Sequence, residues 1–203
     1  MHIRDYLKLS PVVPVLVIHR AEDAVPLARA LARGGLKVLE VTLRTPAALD
    51  AIARIAAEVP DAVVAAGTVL TPTDLHRAAK AGARFAFSPG LAEFMLEEGE
   101  IPILPGVATA SEVMRGMIAN HATFKFFPAV PAGGVGALKA LHGPLPDIAF
   151  CPTGGIDAAN AAQFLCLPNV LCVGGSWVAP AKAVEAGDWS AIETLAREAA
   201  ALR

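Results

Sequence analysis

At 203 residues the chain is long enough for one large domain or two small ones, and its 55% hydrophobic content and mean hydropathy of +0.52 imply an extensive core. A formal net charge of −2, with acids and bases scattered, leaves no basic stripe to bind nucleic acid. No apolar run approaches the roughly 20 residues that span a bilayer, and "MHIRDYLKLS" lacks the apolar centre of a signal peptide, so a cytoplasmic protein with no membrane partner is expected.

After a short N-terminal helix, β-branched and aromatic runs alternate with alanine- and leucine-rich stretches at helical spacing. The first run is "VVPVLVI" from Val12, followed by the helical "AEDAVPLARALARGG". The second, "VLEVTL" from Val38, is followed by "PAALDAIARIAAEVP". The rhythm continues through "VVAAGTV" from Val63, "FAFS" from Phe85, "IPILPG" from Ile101 and "TFKFFP" from Thr123. It closes with "IAFCPT" from Ile148, "VLCVGG" from Val170 and a last helix near "DWSAIETLAREAAALR". Eight strand-then-helix units predict an α/β fold, a (β/α)8 TIM barrel forming one domain over residues 1–203. A doubly wound open sheet is the alternative, but "VIHRAEDA" stands where its G-x-G-x-x-G turn would follow the first strand.

Three cysteines (Cys151, Cys166 and Cys172) are odd in number and lack C-x-x-C spacing, which reads as buried thiols in a reducing compartment. The five histidines are dispersed, with no H-E-x-x-H pair. Nothing in the pattern asks for a metal or a cofactor.

In a barrel, catalytic groups stand at the C-terminal ends of strands and in the loops that follow. Within "TFKFFPAV", Lys125 and Phe127 share one strand face, and Phe124 and Phe126 share the other. With the phenylalanine pair turned toward helices, Lys125 projects inside. Lost hydration disfavours an isolated ammonium there, and a neutral amine is what carbonyl attack requires. The bland alternatives are an edge lysine snorkelling to water or one neutralised by a buried carboxylate. The other lysines (Lys8, Lys37, Lys80, Lys139 and Lys182) fall at element margins, where a solvated head group needs no further account.

In "VLEVTLRT", alternation groups Val38, Glu40, Thr42 and Arg44 against an apolar set of Leu39, Val41 and Leu43. The apolar set suits packing on helices, which turns Glu40 and Arg44 inward. A buried carboxylate needs a partner or a job. Beside an inward lysine, Glu40 supplies the proton carrier that imine chemistry requires, and Arg44 suits a bidentate hold on a substrate carboxylate. A structural Glu–Lys or Glu–Arg pair is the competing account. Thr68 in "AAGTVL" either offers its hydroxyl to the same mouth or caps the next helix. Gly154 and Gly155 in "CPTGGID", with Gly174, Gly175 and Ser176 in "VGGSW", lie where barrels commonly bind phosphate through loop N–H groups and helix N-termini. Tight turns alone also call for such glycines.

Taken together, "GGLKVLEVTLRT", "AAGTVL", "FAFSPGL", "FKFFPA", "CPTGGI" and "VGGSW" give the chain a close resemblance to the 2-keto-3-deoxy-6-phosphogluconate (KDPG) and 4-hydroxy-2-oxoglutarate (KHG) aldolases of class I, from "PVVPVLVI" to "LAREAA". The resemblance implies that Lys125 forms a Schiff base with pyruvate or a phosphorylated 2-keto acid and that Glu40 shuttles protons. It implies that Arg44 and Thr68 hold the carboxylate end, with Pro89 and Phe127 shaping the pocket. It places the phosphate of the glyceraldehyde 3-phosphate fragment on Gly154, Gly155, Gly174, Gly175 and Ser176, with Thr153 nearby. A homotrimer without cofactor is also implied. One departure is a compact "LEEGEIPILPG" connection, which precedes its strand and lies away from the expected active mouth.

Three alternatives stay open on these residues: a galactonate-series substrate epimeric at C4, a metal-dependent pyruvate aldolase, and a barrel that binds sugar phosphates without catalysis.

Overall fold

In the computed structural model, which describes residues 2–97 and 99–202, every apolar run of the sequence contributes strand residues. Met1, Glu98 in the compact connection and Arg203 at the end of the expected last helix lie outside the described residues. The strands are β1 (Val12–Leu16), β2 (Val38–Thr42), β3 (Val63–Gly67), β4 (Ala86–Phe87), β5 (Ile103–Leu104), β6 (Gly106–Val107), β7 (Thr123–Phe126), β8 (Ala149–Pro152) and β9 (Val173–Gly175). The helices are α1 (Ile3–Leu7), α2 (Ala24–Arg33), α3 (Ala48–Glu58), α4 (Pro72–Lys80), α5 (Ala110–Ile118), α6 (Gly134–His142), α7 (Ala161–Leu165), α8 (Ala181–Glu185) and α9 (Trp189–Ala200).

The architecture is α/β, with parallel strands in a curled sheet. Six strands pair in the order β5-β4-β3-β2-β1-β9, and three more in the order β6-β7-β8. The single strand expected over "IPILPG" is therefore two. Pro105 stands between them and has no N–H to give a ladder. Its carbonyl accepts from the Lys125 N–H at 2.9 Å, while the Gly106 N–H turns to the Gly90 carbonyl at 3.1 Å. The chain passes from one sheet to the other at that proline. Isolated parallel bridges Phe150↔Val170 and Thr153↔Gly174 join β8 to the β9 segment.

Strand alternation sorts the buried residues into two clusters. The larger lies between strands and helices and includes Leu39, Val41, Phe124 and Phe126 with Leu27, Leu31, Ile52 and Ile55. The smaller fills the inner face: Val13, Val38, Ala65, Phe85, Phe87, Leu104, Cys151 and Cys172. Ile3, Tyr6 and Leu7 of α1 complete it from the N-terminal ends of the strands, with the Tyr6 ring stacked on Phe85 at 5.3 Å. Fully burying a ring such as Phe85 contributes about 2–3 kcal/mol, so this short helix is a floor to the inner cluster.

Among the cysteines, Cys151 and Cys172 are buried with Sγ atoms 3.5 Å apart, whereas Cys166 is exposed. The expectation of three buried thiols is corrected there, because Cys166 follows α7 on its solvent side. No described helix is long and apolar enough to cross a membrane.

Candidate active site

Lys125 is the one buried lysine; the other five are all exposed. Its neighbours Phe124 and Phe126 explain why. Phe124 packs against α5 at Gly116, where any added Cβ would come within 2.4 Å of its ring. Both rings belong to the outer cluster, so Lys125 between them must point to the inner face. Its Nζ donates to Glu40 Oε1 at 2.8 Å. Lys125 is 5% exposed and Glu40 1%. The rings of Phe87 and Phe127 stand 5.2 and 5.6 Å from Nζ, within cation–π range.

Glu40 reaches the same place from β2 by the same rule, since Leu39 and Val41 on either side belong to the outer cluster. Its second oxygen, Oε2, is buried and has no hydrogen-bond partner among the described residues. A carboxylate with an uncommitted oxygen, touching an amine in a water-poor place, can take the amine's proton and still serve a second proton donor. The deprotonated amine is a nucleophile for a carbonyl carbon.

Arg44, expected to turn inward with Glu40, is tied to that face through Thr42 but lies at its solvent end. β2 ends at Thr42, so alternation no longer governs residue 44, and Arg44 is exposed. Its Nε donates to the Thr42 hydroxyl at 3.1 Å, and that hydroxyl donates to the Leu16 carbonyl at 2.8 Å. Thr68 lies one residue beyond β3, half-buried, with a left-handed φ of 60°. It caps no helix: Thr71 caps α4, accepting from the Asp74 N–H at 3.1 Å. Pro89 and Phe127 are half-buried at the C-terminal sides of β4 and β7.

The glycine pairs differ from each other. Gly154 and Gly155 have φ of 103° and 78°, which demand glycine for the turn itself. Gly174 and Gly175 are buried in β9 and are excluded from bearing side chains by neighbours. A Cβ on Gly174 would lie 2.2 Å from Thr153 Oγ1, and one on Gly175 within 1.7 Å of the Trp177 ring. Thr153 is buried, and its hydroxyl has no partner among the described residues. Nor do the N–H groups of Gly154, Gly155 and Ser176 find an acceptor among them. The expected help from helix N-termini is corrected: α7 and α8 have five residues each and begin only at Ala161 and Ala181. Among the described residues, no three His, Cys, Asp or Glu side chains gather where they could hold a metal ion.

Residues 3–195 match the family described as "Aldolase: KDPG and KHG aldolase". The chain belongs to the KDPG and KHG aldolase family. It is 55% identical to the 2-dehydro-3-deoxy-phosphogluconate aldolase of Pseudoalteromonas atlantica, over 98% of this chain and 94% of that one. It is 56% identical to the KHG/KDPG aldolase of Escherichia coli K12, over 95% and 92%. A KDPG aldolase of Legionella pneumophila, solved with pyruvate captured as a covalent carbinolamine, superposes with a TM-score of 0.96 at 48% identity over 99% of both chains.

Two residues of this aldolase, Phe87 and Gly67, escaped the sequence reading, and a third, Thr42, was placed on its face without a role. Phe87 supplies the nearer aromatic ring to Lys125, and alternation in "FAFS" carries the signal, since Phe85 and Phe87 share the inner face. Thr42 sits on the inner face with Glu40 and tethers Arg44. Gly67 underlies Glu40, a contact between adjacent strands that no spacing in the sequence records.

Proposed function

We propose that this chain is a class I aldolase that cleaves 2-keto-3-deoxy-6-phosphogluconate to pyruvate and glyceraldehyde 3-phosphate through a Schiff base on Lys125, and that it also acts on 4-hydroxy-2-oxoglutarate. The observation that carries the reading is the buried pair of Lys125 Nζ and Glu40 Oε1 at 2.8 Å. Glu40 takes the ammonium proton, and the freed amine adds to C2 of the keto acid to give a carbinolamine. The C2 oxygen takes one proton from the attacking nitrogen and the one held by Glu40, and leaves as water, producing a cationic imine and restoring the carboxylate. Glu40 then removes the C4 hydroxyl proton while the C3–C4 bonding electrons pass into the imine. Glyceraldehyde 3-phosphate departs and an enamine remains. Glu40 returns its proton to C3, and water adds to the imine to release pyruvate and the amine.

In this reading Arg44, held by Thr42, and the Thr68 hydroxyl bind the substrate carboxylate, with Pro89 and Phe127 walling the pyruvyl part. The uncommitted N–H groups of Gly154, Gly155 and Ser176 and the orphan Thr153 hydroxyl favour a phosphate at that end, with Gly174 and Gly175 keeping room for it. Binding there, far from the breaking bond, supplies positioning energy. A single domain with the two sheets forming one closed eight-fold barrel suits this arrangement. It is supported by the β1–β9 pairing, by Pro105 joining β5 to β6 and by the isolated bridges Phe150↔Val170 and Thr153↔Gly174. A homotrimer in the cytoplasm completes the proposal, on family grounds.

Borohydride reduction in the presence of pyruvate, followed by peptide mass mapping, tests the reading. One pyruvyl adduct on the peptide carrying Lys125 is expected. No adduct, or loss of activity on adding EDTA, would sink the imine mechanism in favour of a binding barrel or a metal-dependent aldolase.

A further inference from the structure

Val63, Ala65 and Gly67 are the residues of β3 on the inner face, and Glu40 is paired in register with Ala65. Glu40 does not stay level with its partner. Its side chain leans along the sheet until it lies over Gly67, where an added Cβ would stand 2.4 Å from Oε1, 2.6 Å from Cγ and 2.9 Å from Cδ. Because Cγ is among the atoms struck, turning the carboxylate about its own bond does not relieve the overlap.

Backbone freedom does not account for glycine at this position. Gly67 is absent from the residues of positive φ, while Thr68, with a β-branched side chain, takes the left-handed φ of 60°. Conformational ease would put the glycine at 68 and a side chain at 67, the reverse of what the chain does. What residue 67 contributes is therefore the lack of a β-carbon.

We propose that Gly67 is a positioning residue for the aldolase reaction. Its bare Cα is the seat on which the Glu40 arm lies, which sets Oε1 against Lys125 Nζ and leaves Oε2 to the substrate. This rests on Glu40 being the proton carrier.

The test compares wild type, G67A, E40A and the double variant E40A/G67A in steady-state cleavage, in the rate of borohydride trapping with pyruvate and in calorimetric melting. Gly67→Ala is expected to lower kcat by about 10²-fold, the scale of a roughly 1 Å misplacement of a reacting group, with KM changed less than about threefold. Once Glu40 is alanine there is no arm to strike, so adding Gly67→Ala is expected to alter neither the trapping rate nor Tm. If G67A fails to fold, the E40A pair still decides. Tolerance of Gly67→Ala in that background supports the seat, and an equal penalty there overturns it. G67A with wild-type kcat likewise overturns it. E40A with wild-type turnover instead removes the proton-carrier reading itself, and this proposal with it.

Discussion

Lys125 and Glu40 illustrate how little a buried ion pair says about stability on its own. Taking both charges out of water costs several kcal/mol, and their attraction only offsets that when geometry is good. Removing one partner is worse, because it strands the other. K125M or E40L alone is therefore expected to lose about 3 kcal/mol of stability, while the double replacement K125M/E40L melts at or above the wild-type temperature and is inactive. A double variant that melts well below wild type would make the pair a brace between strands. Thr42 makes a second prediction. Its hydroxyl gives its proton to Leu16 and its lone pair to Arg44, so Thr42→Val should raise KM for the keto acid about tenfold while kcat changes little. An unchanged KM would mean that Arg44 needs no tether. At this scale the sequence was legible wherever alternation applied: Lys125 between Phe124 and Phe126, Glu40 between Leu39 and Val41. It reached less far at Arg44, two residues beyond the end of β2, where the side chain is exposed and its bond to Thr42 ties it to that face.

Among the elements, α5 shows how a helix end is made secure. Thr109 and Glu112 form a capping box, with Glu112 Oε2 accepting from the N–H of Ala108 and of Thr109 at 2.8 and 2.9 Å. Burial opposes ionisation of Glu112, but those donors and the Thr109 hydroxyl outweigh it, so its carboxyl titrates below the usual carboxylate range. A group whose value falls on folding adds stability above its unfolded value and loses it as pH drops through the folded one. E112Q should therefore be about 1 kcal/mol less stable than wild type at neutral pH, and the gap should shrink toward about pH 3. Denaturant titrations at both pH values measure it; a gap that holds steady would exclude the carboxylate as its source. The eight strand runs were plain in the sequence because each is a compact block of β-branched or aromatic residues. The division of "IPILPG" was not, although its cause was visible: Pro105 has no hydrogen to give, and only the fold shows that its neighbour Gly106 donates to Gly90 instead.

For the molecule as a whole, the thiols report which surfaces water reaches. Cys166 is exposed while Cys151 and Cys172 lie in the inner cluster, so an aromatic disulfide reagent should label one thiol in the native enzyme and all three after unfolding. Two fast-reacting thiols in the native state would show that the interior opens. Light scattering on the same sample is expected to give three copies of the 20.9 kDa chain, and a monomer would remove the trimer from the proposal. The floor laid by Ile3, Tyr6 and Leu7 has its own consequence. In the closed barrel proposed above, with that end stoppered by side chains, the reactive nitrogen would be open to the opposite end alone. Sugar acid, hydrolytic water and both products must then use a single doorway in turn. With the aldehyde still in that doorway, the water that frees pyruvate would have to wait, so the proposed architecture would impose an order on the catalytic cycle.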